Sequence, residues 1–196
     1  MSKKIKQIIE EIEALEEKLK DEIEKQESHI IYEIKNGYIT FEKDIFEQQR
    51  EKMKNILNYL KDVPFFHLIS SPLIYLMILP AIIFDVMLFF YQQVIFRIYK
   101  FEFIKRSEFI IFDRHYLAYL NPIEKLNCLY CSYFNGLMHY AAEISAKTEL
   151  YFCPIKHAKK IAYKHQYYHQ FLTYGDEHDF QEKFQELREK VQKSNL

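Results

Sequence analysis

Glycine and proline are scarce in this chain. The 196 residues include only 3 Gly and 5 Pro, the two residue types on which tight turns between strands most depend. A multistranded sheet needs many such turns, whereas long helices need few. The sequence therefore predicts an all-α fold.

An excess of charge of one sign is also missing. The formal net charge is -1, so the chain lacks the basic surplus of a nucleic-acid-binding protein, and no nucleic-acid partner is expected. Its 3 cysteines are an odd number, which does not fit the disulfide framework of a secreted protein. We therefore expect reduced thiols and a cytoplasmic location for the cysteine-bearing half.

The common catalytic motifs are missing too. The sequence has no Gly-rich phosphate loop, no Ser nucleophile elbow and no HExxH motif. The N-terminal MSKKIKQIIEEIEALEEKLK is charged throughout and lacks the apolar centre of a signal peptide. The sequence therefore assigns neither a reaction nor catalytic residues.

Charged helical patterns occupy residues 1–62. Apolar residues spaced alternately by three and four predict a short coiled coil: Ile5, Ile8, Ile12, Leu15, Leu19 and Ile23. A second helical set follows Asn36-Gly37: Phe41, Ile45, Phe46, Met53, Ile56, Leu57 and Leu60. We expect two helices, or one helix bent near Gly37. They form either a homo-oligomer or an amphipathic hairpin that packs on the rest of the chain.

Residues 63–106 are strongly apolar. Between Phe65 and Tyr99 the sequence contains one acid, one base and one histidine. A 19-residue window over residues 72–90 averages about 2.3 on a standard hydropathy scale, a level typical of membrane spans. This segment predicts contact with the lipid bilayer, and a buried core helix is the alternative.

The length of this segment leaves its topology open. About 20 residues cross a bilayer once, and two crossings with a turn need about 40 or more. Pro72 and Pro80 allow either a kinked single span or a re-entrant hairpin with Pro80 at its apex. Basic residues on both flanks favour an element whose two ends face the cytoplasm: Arg50, Lys52, Lys54, Lys61, Arg97, Lys100, Lys105 and Arg106. Asp85 should be neutral, paired within an oligomer or exposed at the hairpin turn.

Residues 107–196 hold the candidate site. Cys128 and Cys131 form a Cys-x-x-Cys pair, and Cys153 and His157 form a Cys-x-x-x-His pair. Three thiols and an imidazole complete a tetrahedral shell for zinc, and the same set can hold a [2Fe-2S] cluster. The sequence predicts a structural zinc site, with the cluster as the alternative.

The local helix signals decide whether these four ligands can meet. Asn121-Pro122 predicts the start of a helix that carries the first pair, and Pro154 predicts another helix with Cys153 at its N-cap. An unbroken helix over residues 122–149 would keep the two pairs apart. We therefore expect a break at Asn135-Gly136, since Gly commonly ends helices. Reactive thiols and buried structural cysteines are the alternatives.

Other candidates carry weaker signals. His139 and Glu143, like His165 and His169, lie one helical turn apart, a spacing that suits metal ligands. A chain with 8 His produces such pairs by chance, so surface or hydrogen-bonding roles are expected. An amphipathic closing helix is predicted near the C-terminus: Phe180, Phe184, Leu187 and Val191.

Two sequence blocks resemble a family of small bacterial proteins. The blocks are DRHYLAYLNPIEKLNCLYCSYFNGL and AKTELYFCPIKHA, and the shared core is NCxYCxYxNG followed by CPIKHA. The resemblance covers roughly residues 70–175. Lys147 stands where the family has Arg, and Phe152 where it has Trp. The resemblance implies a bacterial, membrane-associated protein whose cysteines and His157 act together, and it implies no reaction.

The cluster alternative has a resemblance of its own. Proteins of the NEET type hold a [2Fe-2S] cluster on three cysteines and one histidine, and their last pair also has Cys-x-x-x-His spacing. Their first pair is Cys-x-Cys and their fold is largely β, so the similarity is confined to the ligand set.

These observations combine into one interpretation. We expect a bacterial inner-membrane protein with an N-terminal helical arm at 1–62, a membrane segment at 63–106 and a cytoplasmic helical Cys/His domain at 107–196. The N- and C-terminal parts face the cytoplasm. Such a protein acts as a structural or interaction module, and the alternative is a redox protein.

Overall fold

A computed structural model describes residues 3–27, 32–35 and 38–193. Helices dominate this part of the chain, which confirms the all-α prediction. The elements are α1 Lys3–Glu27, β1 Tyr32–Lys35, β2 Tyr38–Phe41, α2 Lys43–Glu51, α3 Ile56–Asp62, α4 Phe65–Leu76, α5 Ile78–Tyr91, a π-helical turn Gln92–Phe96, α6 Arg97–Tyr99, α7 Pro122–Phe152 and α8 Phe180–Lys193. Short 3₁₀ turns lie at Arg106–Glu108, Arg114–Tyr116 and Tyr168–Gln170.

The chain divides into two compact units, the first of which holds residues 1–53 and 116–119. Helix α1 and, within the second predicted helical set, helix α2 both form, but strands β1 and β2 lie between them where a bend or loop was expected. Strands β1 and β2 pair antiparallel, with Lys35 opposite Tyr38. Asn36-Gly37 lies outside the described residues, but its sequence is the strongest short hairpin signal and should have predicted the strands. The coiled-coil partner of α1 stays a prediction.

The second unit, residues 54–115 and 120–196, is built on a helical stretch from Phe65 to Tyr99, 35 residues long. We call it the apolar helix. Pro72 cannot donate to the carbonyl oxygen of Leu68, and Ser71 Oγ donates to it instead at 2.8 Å. Pro80 accounts for the interruption at Met77 between α4 and α5, but the chain does not reverse there. The re-entrant hairpin is therefore not formed.

The apolar helix ends at Lys100, which adopts a left-handed backbone with φ of 56°. Its end is closed by a hydrogen bond from the Phe101 amide to the Phe96 carbonyl oxygen at 2.8 Å. The following residues, 101–110, run back along the apolar helix, and we call them the return segment. Because of this reversal, Arg106 lies beside residues far earlier in the helix.

Helix α7 begins as the sequence predicts. Asn121 and Glu124 form a reciprocal capping box, and Pro122 takes the first helical position. The helix then runs unbroken for 31 residues, so the predicted break at Asn135-Gly136 is wrong. Gly136 is buried against the return segment, where a Cβ would lie 2.5 Å from the Phe109 carbonyl oxygen. The glycine permits a close approach of backbones and does not end the helix.

Helix α7 lies alongside the apolar helix and runs in the same direction. Contacts therefore follow the same order in both: Tyr75 with Tyr130, Asp85 with Tyr133, Gln92 with Tyr140 and Tyr99 with Tyr151. The core between them is centred on Phe96, Leu137 and Ile144, which are almost completely buried. The apolar helix thus has one side covered by protein over most of its length.

The chain after α7 differs from the prediction in one element and agrees in another. Cys153 is the C-cap of α7, and no helix starts at Pro154, because the Pro154 carbonyl oxygen and the Lys156 amide both bond to the backbone of Leu172. Helix α8 forms as predicted, and Leu187 is buried in a small core. The other buried members of that core are Leu150, Tyr168 and Phe171.

Candidate functional site

The predicted metal ligands lie at opposite ends of α7. Cys128 and Cys131 occupy the first third of the helix, and Cys153 caps its end. Cys131 and Cys153 are 22 residues apart on one unbroken helix, which separates them by about 33 Å. The structure therefore does not bring the two pairs together, and the four residues do not fit a single ion or cluster within one chain.

The individual thiols and His157 show no other sign of a metal centre. Cys128 is half-buried, and Cys131 and Cys153 are exposed. His157 is exposed as well, and its backbone amide donates to the Tyr168 hydroxyl at 2.9 Å. Among the described residues no group of three or more His, Cys, Asp or Glu is arranged to hold a metal. Zinc and [2Fe-2S] binding stay predictions without support from this geometry.

Asp85 lies at the middle of a polar cluster on the protein-facing side of the apolar helix. Arg106 donates to both carboxylate oxygens, from Nε at 3.1 Å and from Nη2 at 2.7 Å. Tyr133 of α7 donates its hydroxyl to the same carboxylate at 3.0 Å. The Asp85 side chain is only 15% exposed. It is therefore paired within its own chain, which differs from all three environments expected from the sequence.

The Asp85 cluster also changes the acidity of its neighbours. The hydrogen bond to Asp85 raises the pKa of the Arg106 guanidinium above its ordinary value. Burial, and then the hydrogen bond to Asp85, raises the pKa of the Tyr133 hydroxyl. Both shifts favour the protonated donors that the cluster needs, so the arrangement is a stable structural link between three segments.

A second polar residue, Gln92, connects the same three segments two turns further along. Its Nε2 donates to the Ile104 carbonyl oxygen of the return segment at 3.0 Å, and its Oε1 accepts from the Tyr140 hydroxyl of α7. Gln92 is 3% exposed. The sequence did carry a signal for this pair, because Asp85 and Gln92 are seven residues apart and lie on one helix face.

The apolar helix thus carries hydrogen-bonded polar residues on its buried face and mainly large apolar residues on its exposed face. Its buried face carries the polar residues Asp85 and Gln92. The apolar residues of the same face are Ala81, Leu88 and Phe96. The opposite face exposes large apolar side chains along about half of the helix, with the charged Arg97 exposed near its end: Ile82, Ile83, Val86, Met87, Phe89, Phe90, Val94 and Ile98. In the most hydrophobic 18-residue window, which has a mean hydropathy of 2.5, 11% of the residues are buried.

A polar cavity of about 510 Å³ lies between the return segment, α7 and the loop before the Tyr168 turn. It brings together His139, Glu143 and His165, residues that the sequence had placed in two separate pairs, whereas His169 is not part of its lining. Tyr167 donates to Glu143 at 2.6 Å, and burial raises the pKa of that tyrosine. His165 bonds Glu149 at 3.2 Å. The network supports the hydrogen-bonding role expected for these residues.

A larger cavity of about 620 Å³ lies at the start of the apolar helix, where α3, α4 and the first turns of α7 meet. Cys131 is in its wall, as are Tyr75 and Tyr130, whose rings pack edge to face at 5.4 Å. The Tyr130 hydroxyl donates to the Ile74 carbonyl oxygen at 2.8 Å. Cys131 therefore lies in the wall of a cavity between helices.

Comparison with known proteins gives no further indication of function. No protein-family profile, curated protein or solved structure matches this chain.

Proposed function

We propose that this protein is a membrane-anchored structural or interaction module, held to the bilayer by the exposed face of the apolar helix. The observation that carries the proposal is the inverted distribution of polarity on that helix. In a helix packed on a water-soluble protein the polar side chains face outward. Here Asp85 and Gln92 face the protein, as polar residues of membrane helices do.

The size of the exposed face supports lipid as its neighbour. A core helix of a water-soluble protein is mostly buried, whereas this one exposes large apolar residues such as Ile83, Val86 and Phe90. Soluble monomers rarely leave contiguous apolar patches of more than a few hundred Å² in contact with water. A lipid bilayer alone would cover this whole face and remove it from water.

The covering by protein favours a helix that lies in the plane of the membrane. Contacts with α7 extend from Ile74 to Tyr99, about 38 Å of helix, which exceeds the roughly 30 Å of hydrocarbon. An upright span would carry Arg106, Glu102 and Lys147 into the lipid beside it. An in-plane helix leaves these charges at the water side and keeps both flanks on one face, the cytoplasmic face of a bacterial inner membrane.

Helix α1 supplies the proposed interaction surface. Five apolar residues spaced by three or four are exposed: Ile8, Ile12, Leu15, Leu19 and Ile23. A second copy of α1 would cover this stripe in a coiled coil. Removing residues 1–27 should therefore reduce the assembly size measured by light scattering, and an unchanged size would exclude this role. The redox alternative has no comparable support, because its four ligands do not converge.

Flotation with phospholipid vesicles tests the membrane anchor. Replacing Ile83 and Val86 together by Asp should weaken vesicle binding at least about 100-fold, because an aspartate in hydrocarbon costs about 2.5–3.5 kcal/mol. The control replaces Tyr163 and Tyr174 by Asp, since both are exposed loop residues away from this face. Equal flotation of both double variants would exclude the apolar helix as the anchor.

A further inference from the structure

The cavity at the start of the apolar helix combines features of a binding site for an amphiphile. Its volume of about 620 Å³ lies within the 300–1,000 Å³ range of small-molecule sites. Apolar side chains from three helices form its walls, among them Leu60, Leu68 and Ile123. Such walls suit a hydrocarbon chain and offer no set of groups for a highly charged ligand.

The polar groups that line the cavity include His67, Ser71 and Asn127, the Glu124 carboxylate that accepts from the Asn121 amide in the capping box, and a pair of opposite charges at the edge. Lys54 Nζ lies 3.1 Å from Asp62 Oδ2, and both side chains are more than half exposed. These two residues line the same cavity as the apolar walls. One cation beside one anion complements a zwitterionic head group, in which a phosphate and an ammonium are a few atoms apart.

The cavity reaches exposed apolar residues at the start of the apolar helix, before the face at residues 82–98 that we assign to lipid. Leu68 and Ile74 line the cavity and are also exposed residues of this helix. A bilayer that also covers these two residues would let a lipid chain enter the cavity without passing through water. This step rests on the proposed function, because the bilayer is the source of the ligand.

We propose that this cavity binds one acyl chain of a zwitterionic phospholipid, with the head group at Lys54 and Asp62. Cys131 in the wall then serves as a built-in reporter, because a chain in the cavity blocks access to its thiol. Cys153 is the matched control, since it is also exposed and lies about 33 Å away along α7.

The test measures alkylation rates of the two thiols in full-length protein held in an amphipathic polymer, without detergent or vesicles. Lysophosphatidylethanolamine should slow the reaction of Cys131 with N-ethylmaleimide at least fivefold and leave Cys153 unchanged. The concentration for half-protection should fall about fourfold for each methylene added to the acyl chain. Equal slowing at both thiols, or none at Cys131, would overturn the proposal.

Cavity-filling variants separate this site from general adsorption of the amphiphile. Ile123→Trp, or Leu68→Trp from the opposite wall, should abolish the protection of Cys131. Leu126→Trp changes the same helix at an exposed residue outside this cavity and should keep it. Protection that survives in both filling variants would overturn the proposal. Vesicle flotation of wild type tests the anchor separately, so the two proposals can fail independently.

Discussion

The two faces of the apolar helix differ in where their polar residues lie. The buried face carries the polar residues Asp85 and Gln92, and each is hydrogen-bonded to both the return segment and α7. The exposed face carries large apolar side chains over residues 82–98, together with the charged Arg97 near the end of the helix. Ala81, Leu88 and Phe96 complete the buried face, so the two faces differ in the two hydrogen-bonded polar residues that only the buried one carries. Under the proposed function, the exposed face meets lipid and the polar residues meet protein partners.

The comparison also explains what holds the unit together. In a lipid environment apolar packing between helices brings little net gain, because lipid tails are as apolar as Leu. Close backbone approach and interhelical hydrogen bonds then decide stability. Gly136 allows the close backbone approach, and Asp85 and Gln92 provide the interhelical hydrogen bonds. Substitutions on the buried face should therefore be costly even where they add apolar atoms.

The largest effect is expected at Gly136. An alanine Cβ would meet the Phe109 carbonyl oxygen at 2.5 Å and Ile110 Cα at 2.9 Å, and backbone atoms cannot move aside as a side chain can. Gly136→Ala should lower the free energy of unfolding by about 3 kcal/mol, measured by denaturant titration in mild detergent. Ser145→Ala, at an exposed site of the same helix, should cause no loss.

A smaller effect is expected when one residue of each face is replaced by alanine. Gln92→Ala leaves the Ile104 carbonyl oxygen and the Tyr140 hydroxyl without their partner and should cost about 2 kcal/mol. Phe90→Ala on the exposed face, where the ring is 61% exposed, should cost less than about 0.5 kcal/mol in detergent. The same titration compares the two variants. A larger loss for Phe90→Ala would reverse the assignment of the faces.

The smallest effect concerns pH. Burial raises the folded-state pKa of Tyr133 above the ordinary tyrosine value of about 10, so its stabilising contribution is complete below pH 10 and is lost as pH rises through the folded pKa. Tyr133→Phe should cost about 1 kcal/mol at pH 8 and should reduce the fall in stability above pH 10. An unchanged slope in that range would show that Tyr133 ionises equally in both states.

Much of this architecture could be predicted from local signals. The helical class followed from the scarcity of Gly and Pro, and the start of α7 followed from Asn121, Pro122 and Glu124, because capping depends on neighbouring residues. The apolar helix was identified by its hydropathy. These features need no knowledge of distant parts of the chain.

The features that were missed depend on long-range contacts. Gly136 was interpreted as a helix end, and only the return segment shows that it allows backbones to approach. Arg106 was counted as a flanking charge, although the reversal after Lys100 brings it to Asp85. The separation of the two ligand pairs was missed for the same reason, since ligand spacing alone could not reveal that α7 is continuous.

Single-tryptophan fluorescence tests the central claim, that lipid covers the exposed face. The chain has no Trp, so Phe90→Trp and Tyr163→Trp each add one unambiguous probe at an exposed position. In vesicles with brominated acyl chains, the account predicts strong quenching of Phe90→Trp and none of Tyr163→Trp. Phe90→Trp emission that resists brominated lipid but is quenched by acrylamide from water would contradict it.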